Sequence, residues 1–155
     1  MRLPHRRWGA ETGSALVELA VALPVLVVLF VGTIDFARVF YTSMALTNSA
    51  RAGVQYGAHN AIRSSDAPGM ILTAQNATGV GGITAVPSRT CQCATEAGVF
   101  DVAPISCAST CTSPKHVVVT VTVTTSKTFT IIMSGVPGIP GSVSLSRTAT
   151  MRVMQ

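Results

Sequence analysis

The sequence contains little charge and few aromatic side chains. Charged residues make up 11% and aromatic residues 5% of its 155 residues, whereas about a quarter of the residues in a typical soluble domain are charged. The net charge of +5 comes from arginines and lysines that, beyond the first few residues, are spread singly along the chain. Because nucleic-acid binding requires a clustered basic patch, we expect no nucleic-acid partner.

The sequence also lacks the patterns of an enzyme. None of the histidines, which are His5, His59 and His116, has a Cys or Ser partner at the spacing of a catalytic motif. The acidic residues of the later chain are too scattered to nominate an acid–base pair; they are Asp35, Asp66, Glu96 and Asp101. No phosphate loop or metal motif is present. We therefore expect no catalytic residue, no metal and no cofactor, and a membrane-anchored hydrolase with a site assembled in space is the enzymatic alternative.

One long apolar run stands out, from Ser14 to Ile34, with Glu18 as its one charge. A helix rises about 1.5 Å per residue, so this run covers a hydrocarbon core of roughly 30 Å. A secretory signal peptide is the alternative, but its apolar region is usually shorter and precedes a small-x-small cleavage site. The candidate site Ala20-Val21-Ala22 lies inside the run. The run therefore predicts a transmembrane helix over residues 14–34 and a bilayer as its surroundings.

The residues before the run set its predicted orientation. Residues 1–13 contain Arg2, Arg6 and Arg7 against Glu11. Basic residues next to a span favour the cytoplasmic side. We therefore expect a cytoplasmic leader over residues 1–13 and place everything after Ile34 outside the cytoplasm.

The four cysteines, Cys91, Cys93, Cys107 and Cys111, lie close together in the sequence. Outside the cytoplasm we expect two disulfides. A Cys91–Cys93 bond would close a strained ring, so each of these two should pair with Cys107 or Cys111, in an order that the sequence leaves open. Each bond would stabilise by roughly 3 kcal/mol in the chain-entropy model. A four-thiolate zinc site and free thiols are the alternatives, although C-x-C lies outside the usual zinc spacing.

The periodicity predicts an α+β fold after the span. The helical pattern continues over residues 35–62, ending at Tyr56 or Ala61, and we interpret Asp35 and Arg38 as a solvated ion pair. Asp66 should cap a short helix over residues 67–76. Alternating patterns predict strands over residues 83–93, 116–126 and 142–153, and a separate apolar segment over residues 129–133. Within residues 63–155, three strands with one apolar face need a cover, which the outer part of the long helix supplies.

The start of the apolar run resembles a type IV prepilin signal. It reads Gly13-Ser14-Ala15-Leu16-Val17-Glu18 and continues as a long apolar helix. The resemblance implies that a prepilin peptidase cleaves after Gly13 and leaves Ser14 as the new N-terminus. It also implies that Glu18, of the same or a neighbouring subunit, neutralises the new amino group.

Residues 14–56 are similar to the TadE-like family. The matching residues are Glu18, Pro24, Asp35, Phe36, Arg38, Phe40, Asn48, Ala50 and Arg51; a departure is Ala52-Gly53 in place of a longer Ala/Arg run. The resemblance implies a minor pseudopilin of a Tad or Flp pilus, with a pilin-like fold, in the bacterial inner membrane. Its partners would be prepilin peptidase, other pilins and the pilus assembly machinery, and its process would be surface adhesion.

Two alternatives stay open. Pro24 breaks a helical hydrogen bond, and the resulting kink either helps helices to stack around a fibre axis or is simply tolerated. The chain as a whole could instead be a single-span membrane protein that keeps its leader and presents a disulfide-stapled domain to an envelope partner.

Overall fold

A long helix followed by a small sheet makes up this computed structural model, which describes residues 11–132, 134, 138 and 140–154. The elements are α1 (Glu11–Ala58), a 3-10 turn (Arg63–Ser65), α2 (Ala67–Asn76), β1 (Thr84–Ala94), β2 (His116–Thr130) and β3 (Ser142–Arg152). The predicted α+β class is confirmed. Most of the predicted leader, with Arg2, Arg6 and Arg7, lies outside the described residues.

Helix α1 contains 48 residues, which corresponds to about 70 Å at 1.5 Å per residue. It continues without interruption through Pro24 and ends at Ala58, between the two predicted ends. The side chains described in its first half are not buried, whereas its second half buries small and medium side chains such as Ala45, Leu46, Ala50 and Val54.

The sheet is antiparallel with the strand order β1-β2-β3. Strand β2 is central and turns Val119, Val121 and Val123 into the core, as the alternating pattern predicts. It is longer than expected, because the segment around Phe129 continues the strand to Thr130. Phe129 is buried and pairs with Val143 of β3, so the predicted end of this strand at residue 126 is wrong, and the strand includes the first two residues of the apolar segment over residues 129–133.

Both helices cover one face of the sheet, as predicted for α1. The core cluster joins Val54 of α1, Met70 and Ala74 of α2, and Val121 and Val123 of β2. Asp66 precedes α2, and its carboxylate accepts a hydrogen bond from the Gly69 backbone N–H at 3.0 Å. The predicted capped helix over residues 67–76 is therefore confirmed.

Two disulfides fasten the loop between β1 and β2. Cys91 bonds to Cys107 and Cys93 bonds to Cys111. This confirms the predicted cross-pairing and shows which of the two possible pairings is formed. The zinc and free-thiol alternatives are wrong, since all four sulfurs are in disulfides. The Cys91 backbone carbonyl also accepts a hydrogen bond from the Ile105 N–H at 2.8 Å, so the loop folds back onto β1.

The glycines of α1 that face α2 and the sheet permit a close approach. A Cβ at Gly53 would lie 3.0 Å from the Ala74 Cβ and 3.1 Å from the Met70 carbonyl oxygen. A Cβ at Gly57 would lie 2.5 Å from the Met70 Sδ. Because the Met70 carbonyl is a backbone atom of α2 that cannot move aside cheaply, the observed packing needs glycine at position 53, whereas a side chain at position 57 would have to displace the Met70 side chain.

Gly53→Leu should therefore destabilise the domain by about 1–3 kcal/mol, the usual cost of overpacking a core. Urea unfolding of the full chain in detergent micelles, followed by circular dichroism, measures this loss. Gly32→Leu is the matched control, because a Cβ at Gly32 has no neighbour within 4 Å. Equal stability of the Gly53→Leu variant and the wild type would contradict the packing of α1 on α2.

Candidate functional site

The first half of α1 is an apolar helix without a protein cover. Leu16, Val21 and Phe30 are 69%, 70% and 69% exposed. Over the described residues, the chain has one helix that is long and apolar enough to cross a membrane, and none of its most apolar stretch is buried. An apolar surface of this extent marks a contact with lipid or with another protein. The length and apolarity suit a single membrane span.

The residues expected to direct processing lie at the start of this helix. Gly13 and Ser14 belong to the first turn of α1, where the backbone N–H groups have no helical acceptor and the turn unfolds most easily. Ser14 and Glu18 are four residues apart and share one helix face. Pro24 lies further along the exposed helix, so the structure brings Ser14 and Glu18 together on one side but does not bring Pro24 to them.

Asp35 fixes the point where α1 enters the domain. It is 7% exposed, and its two carboxylate oxygens accept hydrogen bonds from the Ile132 backbone N–H at 3.0 and 3.2 Å. Arg38 is 3.3 Å from the same carboxylate and lies over the Phe129 ring, 4.9 Å from its centroid. The interpretation of Asp35 and Arg38 as a solvated pair is therefore wrong for Asp35, because the chain after β2 covers it.

Buried hydroxyl groups continue this contact along α1. The Ser49 hydroxyl donates to the Ala74 carbonyl at 2.5 Å, and the Thr125 hydroxyl donates to the Leu46 carbonyl at 2.9 Å. The α1 face with Asp35 and Ser49 thus packs on the domain. The opposite face exposes Phe36, Phe40 and Met44, of which Phe36 is 73% exposed. The exposed apolar surface of the first half of α1 therefore continues past Ile34.

A second polar contact joins the end of α1 to the start of α2. The Tyr56 hydroxyl donates to an Asp66 carboxylate oxygen at 2.7 Å, and Arg63 lies over the Tyr56 ring at 4.9 Å. The hydrogen bond raises the pKa of Tyr56, because it favours the protonated phenol. The same bond, with that from the Gly69 N–H, lowers the pKa of Asp66.

This contact predicts a pH dependence of stability. A lowered pKa means that Asp66 stabilises the fold above its unfolded pKa of 3.8 and loses this effect as the pH falls below it. Relative to Asp66→Ala, the wild type should be more stable at neutral pH, and the difference should shrink as the pH falls below about 4. Urea unfolding of the full chain in detergent from neutral to acid pH measures the difference.

Tyr56→Phe is the companion variant, because it removes the hydroxyl and keeps the ring beneath Arg63. It should lower stability in the same direction, and the contribution of the phenol should disappear at alkaline pH, once the pH exceeds the raised pKa of Tyr56. A wild-type advantage over Asp66→Ala that stays constant into strong acid would contradict the role of the ionised carboxylate.

The hydrogen bonds of Asp35 predict a local protection from hydrogen exchange. Asp35→Asn removes the charge from an acceptor, and hydrogen bonds to charged groups are worth about 1 kcal/mol more than neutral ones. The Ile132 amide should therefore exchange roughly fivefold faster in hydrogen–deuterium exchange of the full chain. Asp101→Asn is the control, since Asp101 pairs with Lys115 in the cysteine loop. Unchanged exchange at Ile132 in Asp35→Asn would contradict the contact.

The described residues contain no group of three or more His, Cys, Asp and Glu side chains that could hold a metal ion. His59 and His116 are both exposed. The sequence analysis did not predict that Asp35 is buried at the contact between α1 and the chain after β2. Two features of the sequence could have indicated this burial. Asp35 directly follows the apolar run, and the sequence between β2 and β3 contains no charged residue that could pair with it.

The fold and the exposed helix define an α+β protein whose uncovered apolar N-terminal helix is long enough for a single membrane span. Compared with known families, residues 13–55 match the family model described as TadE-like protein, which confirms the resemblance found in the sequence. No curated protein and no solved structure matches the chain. The match covers the span and the part of α1 that packs on the domain up to Gln55, and it leaves α2 and the sheet outside.

Proposed function

We propose that this protein is a TadE-like pseudopilin that acts in the assembly of a Tad or Flp pilus, and so in adhesion to surfaces. The observation that carries the proposal is the TadE-like match over residues 13–55, which includes the uncovered apolar part of α1. Before assembly, this helix anchors the chain in the bacterial inner membrane. During assembly, it exchanges lipid for the helices of other pilins.

The arrangement of charges supports an N-terminus in the cytoplasm and a domain outside it. The basic residues of the leader precede the span and favour the cytoplasmic side. The two disulfides lie at the other end of the molecule, and disulfides persist in an oxidising compartment such as the periplasm. The proposed division is thus a leader over residues 1–13, a span over 14–34, and an external helix and domain over 35–62 and 63–155.

Processing after Gly13 would expose a new charged group to the apolar surroundings. The Ser14 amino group would be mostly protonated at neutral pH, because an α-amino group has a pKa of about 7.7–8. Glu18 lies one turn further on the same face, so its carboxylate can reach this amino group in the same chain. A neighbouring chain could offer its Glu18 instead. Either pair lowers the cost of placing a charge in an apolar environment.

Assembly would use the exposed side of α1. Phe36, Phe40 and Met44 lie at helical spacing and extend the apolar surface beyond Ile34. Helices of neighbouring subunits can cover this surface without disturbing the face that packs on the sheet. The helix kink expected at Pro24 would help such helices to follow a fibre axis, and neighbouring helices can satisfy the carbonyl that Pro24 leaves free.

The test is the N-terminus of the mature protein, taken from native membranes and analysed by intact mass and N-terminal peptides. We expect a chain that starts at Ser14, and we expect Gly13→Val to retain the leader. A Cβ at Gly13 has no neighbour within 4 Å, so this variant should fold normally. Gly32→Val is the matched control on the same helix, also without neighbours, and should be cleaved like the wild type.

Two outcomes decide the proposal. Loss of cleavage in Gly13→Val and in cells without prepilin peptidase, with the mature chain present in sheared pili, would support it. A wild-type chain that retains its first residues in the presence of the peptidase would overturn it. The account that follows in that case is the single-span protein that presents its disulfide-stapled domain to an envelope partner.

A further inference from the structure

A cleft with two basic side chains lies where α1 leaves the apolar run. It has a volume of about 630 Å³ and is formed by α1, the C-terminal part of β2 and the loop before β1; the lining residues are Ile34, Ala37, Arg38, Tyr41, Thr42, Val80, Lys127, Thr128, Phe129 and Thr130. We call it the Arg38–Lys127 cleft. None of these lining residues is acidic, and the Asp35 carboxylate is buried against the Ile132 N–H and Arg38.

The height of the cleft along α1 places it beside the lipid headgroups. Arg38 lies four residues beyond Ile34, which is about 6 Å along the helix axis. The headgroup layer extends about 5–7 Å beyond the hydrocarbon on each side of a bilayer. If residues 14–34 span the hydrocarbon, the guanidinium of Arg38 lies within this layer. Ile132 follows β2 at the same end of the sheet, and the sequence from residue 131 to residue 141 contains no charged residue.

The walls of the cleft combine apolar surface with hydrogen-bond donors. Phe129 forms its buried side, whereas Ile34 and Tyr41 are 38% and 62% exposed. Arg38 stacks over the Phe129 ring and therefore keeps a fixed position. Lys127 donates from its Nζ to the Gly81 carbonyl at 2.5 Å, but a flexible lysine can turn its other hydrogens toward a ligand. A phosphate with an attached apolar chain matches both parts of this wall.

We propose that the Arg38–Lys127 cleft binds the headgroup of an anionic phospholipid in the leaflet next to the domain. The lipid phosphate accepts hydrogen bonds from Arg38 and Lys127, and its glycerol and first methylenes lie against Ile34 and Tyr41. The bound lipid links α1 to β2 at the membrane surface and sets the height of the domain above it. This inference rests on α1 as a membrane span and is independent of cleavage after Gly13.

The test is a titration of the full chain in neutral detergent micelles, with native mass spectrometry to count bound lipids. The probes are phosphatidylglycerol, which is anionic, and phosphatidylcholine, which is zwitterionic. A neutral micelle has no surface potential, so a preference for phosphatidylglycerol reports the cleft. Each cation near an anionic headgroup contributes about fivefold in affinity, so we expect the Arg38→Gln/Lys127→Gln variant to bind phosphatidylglycerol roughly 25-fold more weakly.

The matched control is Arg51→Gln/Arg89→Gln, which removes the same charge from two exposed side chains outside the cleft. It should bind phosphatidylglycerol like the wild type. Lys127→Glu keeps Arg38 and its contacts with Asp35 and Phe129, so it tests the cleft without disturbing that junction. It should lose the preference for phosphatidylglycerol, and hydrogen exchange at Ile132 should show that the junction is intact.

Three results would overturn the proposal. The first is equal binding of the two lipids by the wild type, and the second is equal loss of affinity in the cleft and control variants. The third is displacement of the lipid by millimolar glycerol phosphate, which would assign the cleft to a soluble phosphate. Because uncleaved chains keep both the helix and the cleft, the Gly13→Val variant separates this inference from the proposed function: it should bind phosphatidylglycerol while it retains its leader.

Discussion

The structure depends on a change of surroundings along one continuous helix. The first half of α1 exposes large apolar side chains such as Leu16 and Phe30, whereas the second half buries small ones such as Ala50. Large apolar side chains suit lipid tails, and small ones allow a backbone to approach a sheet closely. The sheet can pack only on the second half of α1, because one face of a helix cannot contact lipid and β2 at the same time.

Asp35 marks the position of that change. A carboxylate is costly in hydrocarbon, so the stretch of α1 that suits a membrane span ends before Asp35. Its hydrogen bonds with the Ile132 N–H also tie the end of β2 to the same turn of α1. One side chain therefore joins the end of the apolar run to the sheet, and the Arg38–Lys127 cleft lies next to it.

Sequence patterns predicted those parts of the fold that local chemistry determines. The cap at Asp66, the alternation of β2 and the cross-pairing of the cysteines follow from short-range rules. The burial of Asp35 and the length of β2 do not, since Asp35 is covered by a residue 97 positions away and the last residues of β2 are held by their pairing with β3. Of the candidate site, the sequence indicated Gly13, Ser14, Glu18 and Pro24 through a family resemblance, but it could not show that Arg38 and Lys127 share a cleft.

The outer face of the sheet differs from α1 in its need for a partner. Its hydroxyl groups satisfy each other across strands, as between Thr122 and Thr150 and between Thr124 and Thr148, each at 3.0 Å. A face that is already hydrogen-bonded and carries few apolar side chains gains little free energy from burial. The exposed apolar side chains of α1 gain much more. Association of this protein with a protein partner should therefore begin with α1, and the sheet then limits how closely that partner can approach the domain.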